Sequence, residues 1–118
     1  MAATKTSRTI LASISNAAGA TKNGTEVDLS TKYGLLVVGK ITNGAAGPTI
    51  GCDMVVYVGD ATGVKHEFSR QTGGVANNGV YEFVVEIPPS AMFVNLDFTG
   101  NTGQAVTVEA YGEELTTI

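Results

Sequence analysis

Apolar residues recur at alternate positions in short runs along this chain, and nearly every run is closed by Gly, Asn, Asp or Pro. Val, Ile, Tyr, Phe and Thr fill the runs, the residue types that suit a pleated, half-buried strand. The first strand is expected from about Thr6 to Ser15, with Ile10, Ala12 and Ile14 on one face and Thr9, Leu11 and Ser13 on the other. A polar loop, Asn16 to Gly24, ends in Asn23-Gly24, a dipeptide suited to positive φ in a tight turn. Thr25 to Leu29 presents Val27 and Leu29. Leu35 to Thr42 opens with Leu35, Leu36, Val37 and Val38, apolar on both parities, as in a strand buried on two faces. Gly39 then marks a bulge or a close approach.

Asn43 to Pro48 reads as a flexible connection. Gly51 to Val58 places Cys52, Met54, Val56 and Val58 on one face, and the Gly59–Gly63 turn leads into Val64 to Arg70, where His66 and Phe68 share a parity. After a Gly- and Asn-rich loop from Gln71 to Gly79, Val80 to Ile87 sets Tyr81, Phe83, Val85 and Ile87 against Glu82 and Glu86. Pro88-Pro89 stops that strand, because neither residue can donate to a ladder. Met92 to Thr99 alternates Met92, Val94, Leu96 and Phe98 with Phe93, Asn95 and Asp97. Gly100-Asn101-Thr102-Gly103 reads as a hairpin turn into Ala105 to Gly112, and Glu113 to Ile118 as an exposed tail or short edge segment. Ala17-Ala18-Gly19-Ala20 carries a Gly and is bracketed by Asn, so it reads as loop and no helix is expected. About eight strands with turns every 8–12 residues predict an all-β chain, an antiparallel β-sandwich or jelly roll. The expected organisation is a flexible N-terminal arm over 1–7, one sandwich domain over 8–113 and a C-terminal tail over 114–118.

Composition narrows the class. The 118 residues fit one domain. Cys52 and His66 are the only cysteine and histidine, which excludes an internal disulfide and any zinc site built on Cys and His. Charged residues make up 15% of the chain, against about 25% in an average domain, and 15 Gly help fill the space. Such a composition suits a protein that sits against other proteins. The net charge is −4, unevenly spread. Lys5, Arg8, Lys22, Lys32 and Lys40 lie in the first forty residues, whereas Glu82, Glu86, Asp97, Glu109, Glu113 and Glu114 follow the last cation, Arg70. One reading is scatter over solvated faces; the sharper one is a basic edge on one subunit meeting an acidic edge on the next. An acidic domain without a basic stripe is not built for nucleic acid. Met1 to Arg8 lacks the apolar region of a secretory leader, and the longest aliphatic or aromatic stretch, Met54–Val58, is far too short for a membrane-spanning helix. The expectation is assembly in a host cytoplasm, with no membrane partner.

No constellation for catalysis is visible. Any histidine-assisted nucleophile must use His66, which sits mid-strand, and Cys52 falls on an apolar face as a buried, unreactive thiol would. Glu82 and Glu86 share a strand face about 13 Å apart, beyond glycosidase spacing, and read as charges keeping an edge soluble. The Gly59–Gly63 loop has one carboxylate, too few for calcium. Asn23-Gly24-Thr25 matches a glycosylation sequon that has no use without a leader. No enzyme, cofactor or metal is expected.

Tyr81, Phe83, Phe68 and Phe98 lie on core parity, while Tyr33, Tyr57, Phe93 and Tyr111 do not. The second group either fills a second packed face or anchors an interface, where Tyr and Phe are enriched. A carbohydrate-binding adhesion module, which stacks sugars on exposed rings, is the rival reading from another class, and the absence of Trp counts against it.

The segments Val80-Tyr81-Glu82-Phe83, Ile87-Pro88-Pro89-Ser90-Ala91-Met92-Phe93-Val94 and Phe98 to Ala110 resemble small structural proteins of tailed bacteriophages. Arg8 to Ser13 and Lys40-Ile41-Thr42-Asn43-Gly44 to Pro48-Thr49 fit the same likeness, which is greatest to head decoration (cement) proteins. It covers most of the chain and rests on no site motif, so no family residue is carried over. The resemblance implies a protein on the outside of a phage capsid, with the major capsid protein or another virion protein as partner and a homo-oligomer, a trimer fitting local three-fold positions. A tail, neck or fibre-associated protein is the alternative within the virion. The arm at 1–7 and the loops 16–24 and 72–79 are expected to carry contacts, and Lys5, Arg8, Tyr57, Phe93 and Tyr111 are the candidate interface residues.

Overall fold

The computed structural model describes residues 3–117. Within them are nine strands and no helix: β1 (Thr4–Asn16), β2 (Lys22–Asn23), β3 (Val27–Asp28), β4 (Leu35–Asn43), β5 (Asp53–Gly59), β6 (His66–Thr72), β7 (Val80–Ile87), β8 (Phe93–Thr99) and β9 (Val106–Thr117). They form two antiparallel sheets. The first runs β1-β9-β4-β7, and the second β2-β8-β5-β6 with β3 also on β8. β2 and β3 lie along β8 as two pieces of one broken strand. Pairing is nested: β1 with β9, β2/β3 with β8, β4 with β7, β5 with β6. A long hairpin rolled over itself in this way is the jelly roll, one of the two architectures the alternating pattern allows.

The inward parity of each strand builds the core. β4 gives Leu35, Val37 and Ile41, β9 gives Val106, Val108 and Ala110, and β8 gives Val94, Leu96 and Phe98. Met54 and Val56 of β5 and Val85 and Ile87 of β7 complete it. Phe98 is fully buried, which stabilises the fold by about 2–3 kcal/mol. Gly39 marks close packing and no bulge: β4 keeps continuous register with both neighbours, and a Cβ at 39 would collide with Met54 Sδ.

Several expectations are corrected. Of the arm at 1–7, Thr4–Ser7 are strand, paired from Thr4↔Thr117 to Ser7↔Glu113; Met1 and Ala2 lie outside the described residues. The tail at 114–118 is likewise strand as far as Thr117, with Ile118 outside the described residues. Glu114 is not a solvent-facing tail charge: it shares the inward parity of Val108 and Ala110 and is buried. Polar residues here stay ordered because a backbone ladder satisfies them without side-chain apolarity. The 100–103 turn joins β8 in one sheet to β9 in the other, so it is an arch and not a hairpin. β5–β6 is the consecutive pair that forms a hairpin among the described strands. Leu36 and Val38 are not in a doubly covered strand but open to solvent, at 38% and 37% exposure. Phe68 is 44% exposed because β6 bulges there: Tyr57 and Val56 pair with Glu67 and Ser69, leaving Phe68 as the extra residue. In β1 two successive irregularities cancel in parity, so Ile14 lies across from the buried Val108, on the same face as Ile10, yet is 42% exposed on this border strand. Gly24 takes no positive φ; its place is set by packing against Ile10 and Leu96.

The long loops are tied down. Asn16 Nδ2 donates to Asn101 Oδ1 at 2.7 Å, and Asn101 Nδ2 donates to the carbonyls of Asn16 and Gln104. Both asparagines are fully buried. Asn43 Nδ2 donates to the carbonyls of Gly74 and Ala76, and Asn77 Oδ1 accepts from Gly47 N–H. The connection at 43–48 is therefore pinned to the 73–79 loop.

Candidate interaction surface

The outward parities of the two sheets differ in how far they satisfy themselves. On the second sheet, Arg70 bridges Asp53 Oδ2 at 2.8 Å and Glu67 Oε1 at 2.9 Å. Lys65 Nζ sits 3.9 Å from Asp97 and 5.5 Å from the Tyr57 ring centroid. Asn95 Nδ2 and Gly63 N–H both donate to Glu26 Oε2 at 2.9 Å, which holds that carboxyl below its ordinary range. Val55, on the same outward parity, is wholly buried. Charge and aromatic side chains thus close this face over its own backbone.

The first sheet lacks such a cover. Its register sets Thr9, Tyr111, Val38 and Val84 in one row across four strands. The next row is Ser7, Glu113, Leu36 and Glu86, and on the other side Glu109, Lys40 and Glu82 lie abreast. Val84 is 62% exposed and Tyr111 42%. An apolar band of Leu36, Val38, Val84 and Tyr111 is therefore open to solvent, bordered by Glu82, Glu86, Glu109 and Glu113 against Lys5 and Lys40. Tyr111 Oη donates to Glu109 Oε2 at 3.0 Å, which raises the phenol's pKa. Ser7 Oγ donates to Glu113. A groove of about 440 Å³ opens at the end of the band, lined among others by Lys5, Tyr33, Leu36, Glu86, Pro89 and Leu115. A contiguous exposed apolar patch with a polar rim is the usual mark of a contact surface.

The five candidate residues divide between the faces. Lys5 and Tyr111 lie on the open face of the first sheet. Arg8 sits at its border with an inward-turned guanidinium whose Nε is 2.7 Å from Glu114 Oε1. Tyr57 and Phe93 are on the outward parity of the second sheet, and Tyr57 is engaged by Lys65. The structure does not bring the five together. Sequence reasoning missed Leu36, Val38 and Val84 as surface residues. The available signal was Val84, set between two glutamates on the outward parity of β7.

The remaining chemistry lies elsewhere. Cys52 is buried, and desolvation followed by the Asp53 charge pushes its thiol up to about 11. His66 is exposed on the edge strand β6, across from Val58. Among the described residues no three His, Cys, Asp or Glu side chains gather to hold a metal ion. Among the described residues no helix is long and apolar enough to cross a membrane.

No protein-family model matches this chain, and no curated protein matches it. Its fold, however, is found in solved structures. The K3 cleaved adhesin domain of Lys-gingipain from Porphyromonas gingivalis superposes with a TM-score of 0.56 at 12% identity, over 86% of this chain and 73% of that one. The VP2 subviral particle of infectious bursal disease virus matches with a TM-score of 0.54 at 11% identity, over 96% of this chain and 33% of VP2. The enzymatically active domain of tailspike protein 4 of bacteriophage CBA120 gives 0.52 at 12% identity, over 93% of this chain and 19% of that one. This chain thus spans about a third of VP2 and a fifth of the tailspike domain. At these identities the likeness is one of fold, a jelly roll shared by an adhesin domain, a capsid protein and a tailspike.

Proposed function

We propose that this chain is a non-enzymatic structural protein of a virus particle, a decoration protein that binds the outside of a phage head and stabilises it. The open face of the first sheet carries the reading. It presents an apolar band on a rigid four-stranded support, while the opposite face is closed by its own ion pairs. A shell protein provides the partner for such a band, and burial of Leu36, Val38, Val84 and Tyr111 supplies the affinity. The phage-like phrasing of the C-terminal half and a jelly roll common among capsid proteins support the same reading.

The test is the copy number of the protein in purified particles from the host that carries its gene, set against the major capsid protein. A count comparable with the capsid protein is expected. A few copies per particle would move the protein to the neck, tail or fibres, and complete absence would remove it from the virion. In particles where it is present, Val84→Glu is expected to lower occupancy without unfolding the domain.

The groove at the end of the band favours a second reading, a carbohydrate-binding adhesion module. Tyr33 offers a ring face, and Lys5, Glu86 and Glu113 offer polar groups for hydroxyls. Glycan-array binding that is lost in Tyr33→Ala would bring this reading forward.

A further inference from the structure

Four strands border the two sheets, and three of them are blunted. β2/β3 consists of two-residue pieces, β6 is bulged at Phe68, and β1 is bulged at two places beyond Thr9. Such features are how natural sheets discourage a further strand from adding. β7 has none of them. Its eight residues keep unbroken register with β4 from Leu35↔Ile87 to Thr42↔Val80.

The phase of that ladder identifies the groups left free. Asn43 N–H donates to the Gly79 carbonyl at 2.8 Å, so 43 and 79 are a hydrogen-bonded pair. Alternation makes hydrogen-bonded pairs of 41/81, 39/83, 37/85 and 35/87 as well. The N–H and C=O groups of Val80, Glu82, Val84 and Glu86 therefore point away from β4, along the open edge. Their side chains lie on the open face, and Val80 is 52% exposed.

Charge selects the strand this edge can accept. If two copies of β7 paired about a two-fold axis with their faces in phase, Glu82 or Glu86 of one would lie opposite or diagonal to a glutamate of the other. Like charges so placed oppose pairing. The other border of the same sheet has the complementary character. In β1, the stretch Lys5 to Thr9 is in regular register with β9, and the β4–β9 phase leaves the backbone groups of Lys5, Ser7 and Thr9 on the free side. Strand direction alternates through β1-β9-β4-β7, so a second copy in the same orientation offers its β1 antiparallel to β7.

We propose that β7 of one copy accepts β1 of another. Lys5 then lies opposite Glu86, Ser7 opposite Val84 and Thr9 opposite Glu82, and the first sheet runs on from copy to copy. The contact is head-to-tail, and it closes into a ring if the rotation per copy allows. It stands independently of the virion reading, since it concerns only the chain's affinity for itself.

Sedimentation velocity of the full chain over a range of concentrations tests it, with circular dichroism to follow the fold. The wild type is expected to associate with rising concentration. Val84→Pro removes an outward N–H that β4 does not use and is expected to leave monomer. Glu86→Lys, at an exposed side chain, is expected to weaken association at least about tenfold, and adding Lys5→Glu to that chain is expected to restore it. A wild type that stays monomeric throughout overturns the proposal. So does unchanged or stronger association of Glu86→Lys, or a Lys5→Glu/Glu86→Lys chain that stays as weak as Glu86→Lys alone. If Val84→Pro unfolds, the charge pair decides.

Discussion

Arg8 Nε lies 2.7 Å from Oε1 of Glu114, a carboxylate only 2% exposed at the end of the core. Neither atom has an aligned hydrogen-bond partner, so the pair is an ion contact between two strands already joined by the β1–β9 ladder. The Arg8 charge also contributes, after Ser30 and Lys32, to lowering the carboxyl of Asp28 on β3 of the second sheet. Removing the cation alone leaves a charge facing Leu35, across whose backbone Glu114 pairs.

Arg8→Ala should therefore destabilise the domain by about 2 kcal/mol. A fully buried pair broken on one side costs about 3–5 kcal/mol, and the Arg8 side chain is 36% exposed. Arg8→Met combined with Glu114→Leu should recover most of the loss, because no charge then remains without water or partner. Urea unfolding midpoints of the three chains decide it. A double variant as unstable as Arg8→Ala would show that the pair matters through something other than desolvation.

Asn101→Ala removes an amide that serves the carbonyls of Asn16 and Gln104 and the side chain of Asn16, all at a buried site. The expected loss is about 3 kcal/mol, with faster hydrogen exchange at Gly19, whose N–H donates to the Asn101 carbonyl. Exchange at Gly19 unchanged from wild type would mean that the 16–20 loop is held without this residue.

Glu26 holds the Gly59–Gly63 turn against β8, and its carboxyl lies below the ordinary value of 4.5 through hydrogen bonds from Asn95 and then Gly63. Folding thus favours the carboxylate. The stability it contributes is full above the ordinary value and is lost as pH falls through the lowered folded-state value. In Glu26→Gln the acid limb of the stability curve should be shallower over that window. Asp28, also lowered, through Ser30, leaves a residual slope. Superimposable acid limbs for the two chains would rule the linkage out.

Two loop glycines should respond oppositely to alanine. A Cβ on Gly51 would strike the backbone carbonyl of Gly73, whose own N–H donates to Cys52. Gly51→Ala is expected to cost about 2 kcal/mol or more. Gly44 has open space and no positive φ, so Gly44→Ala should be neutral or stabilise by about 0.5 kcal/mol. Thermal melts of the two variants check the pair, and equal shifts would contradict the packing argument.

The alternation of Tyr81, Phe83, Val85 and Ile87, and of Val94, Leu96 and Phe98, was enough to define two-faced strands and an all-β class, because side-chain direction in a strand depends only on local geometry. The same reasoning set Val27 with Leu29, and Met54 with Cys52 and Val56, and the structure buries all five. It misread Leu36 and Val38, since apolarity on both parities does not say whether a second layer covers the outer face. It misread the 100–103 turn, because Gly and Asn permit a reversal equally well within one sheet or between two. Phe68 and Glu114 went astray for a related reason: a bulge shifts parity by one residue, and a buried carboxylate depends on a cation more than a hundred positions away. Strand periodicity is a property of neighbours along the chain, and one sequence is enough to show it. Which strand lies beside which, and hence which face is left open and which edge unpaired, follows from long-range pairing that only the folded chain decides.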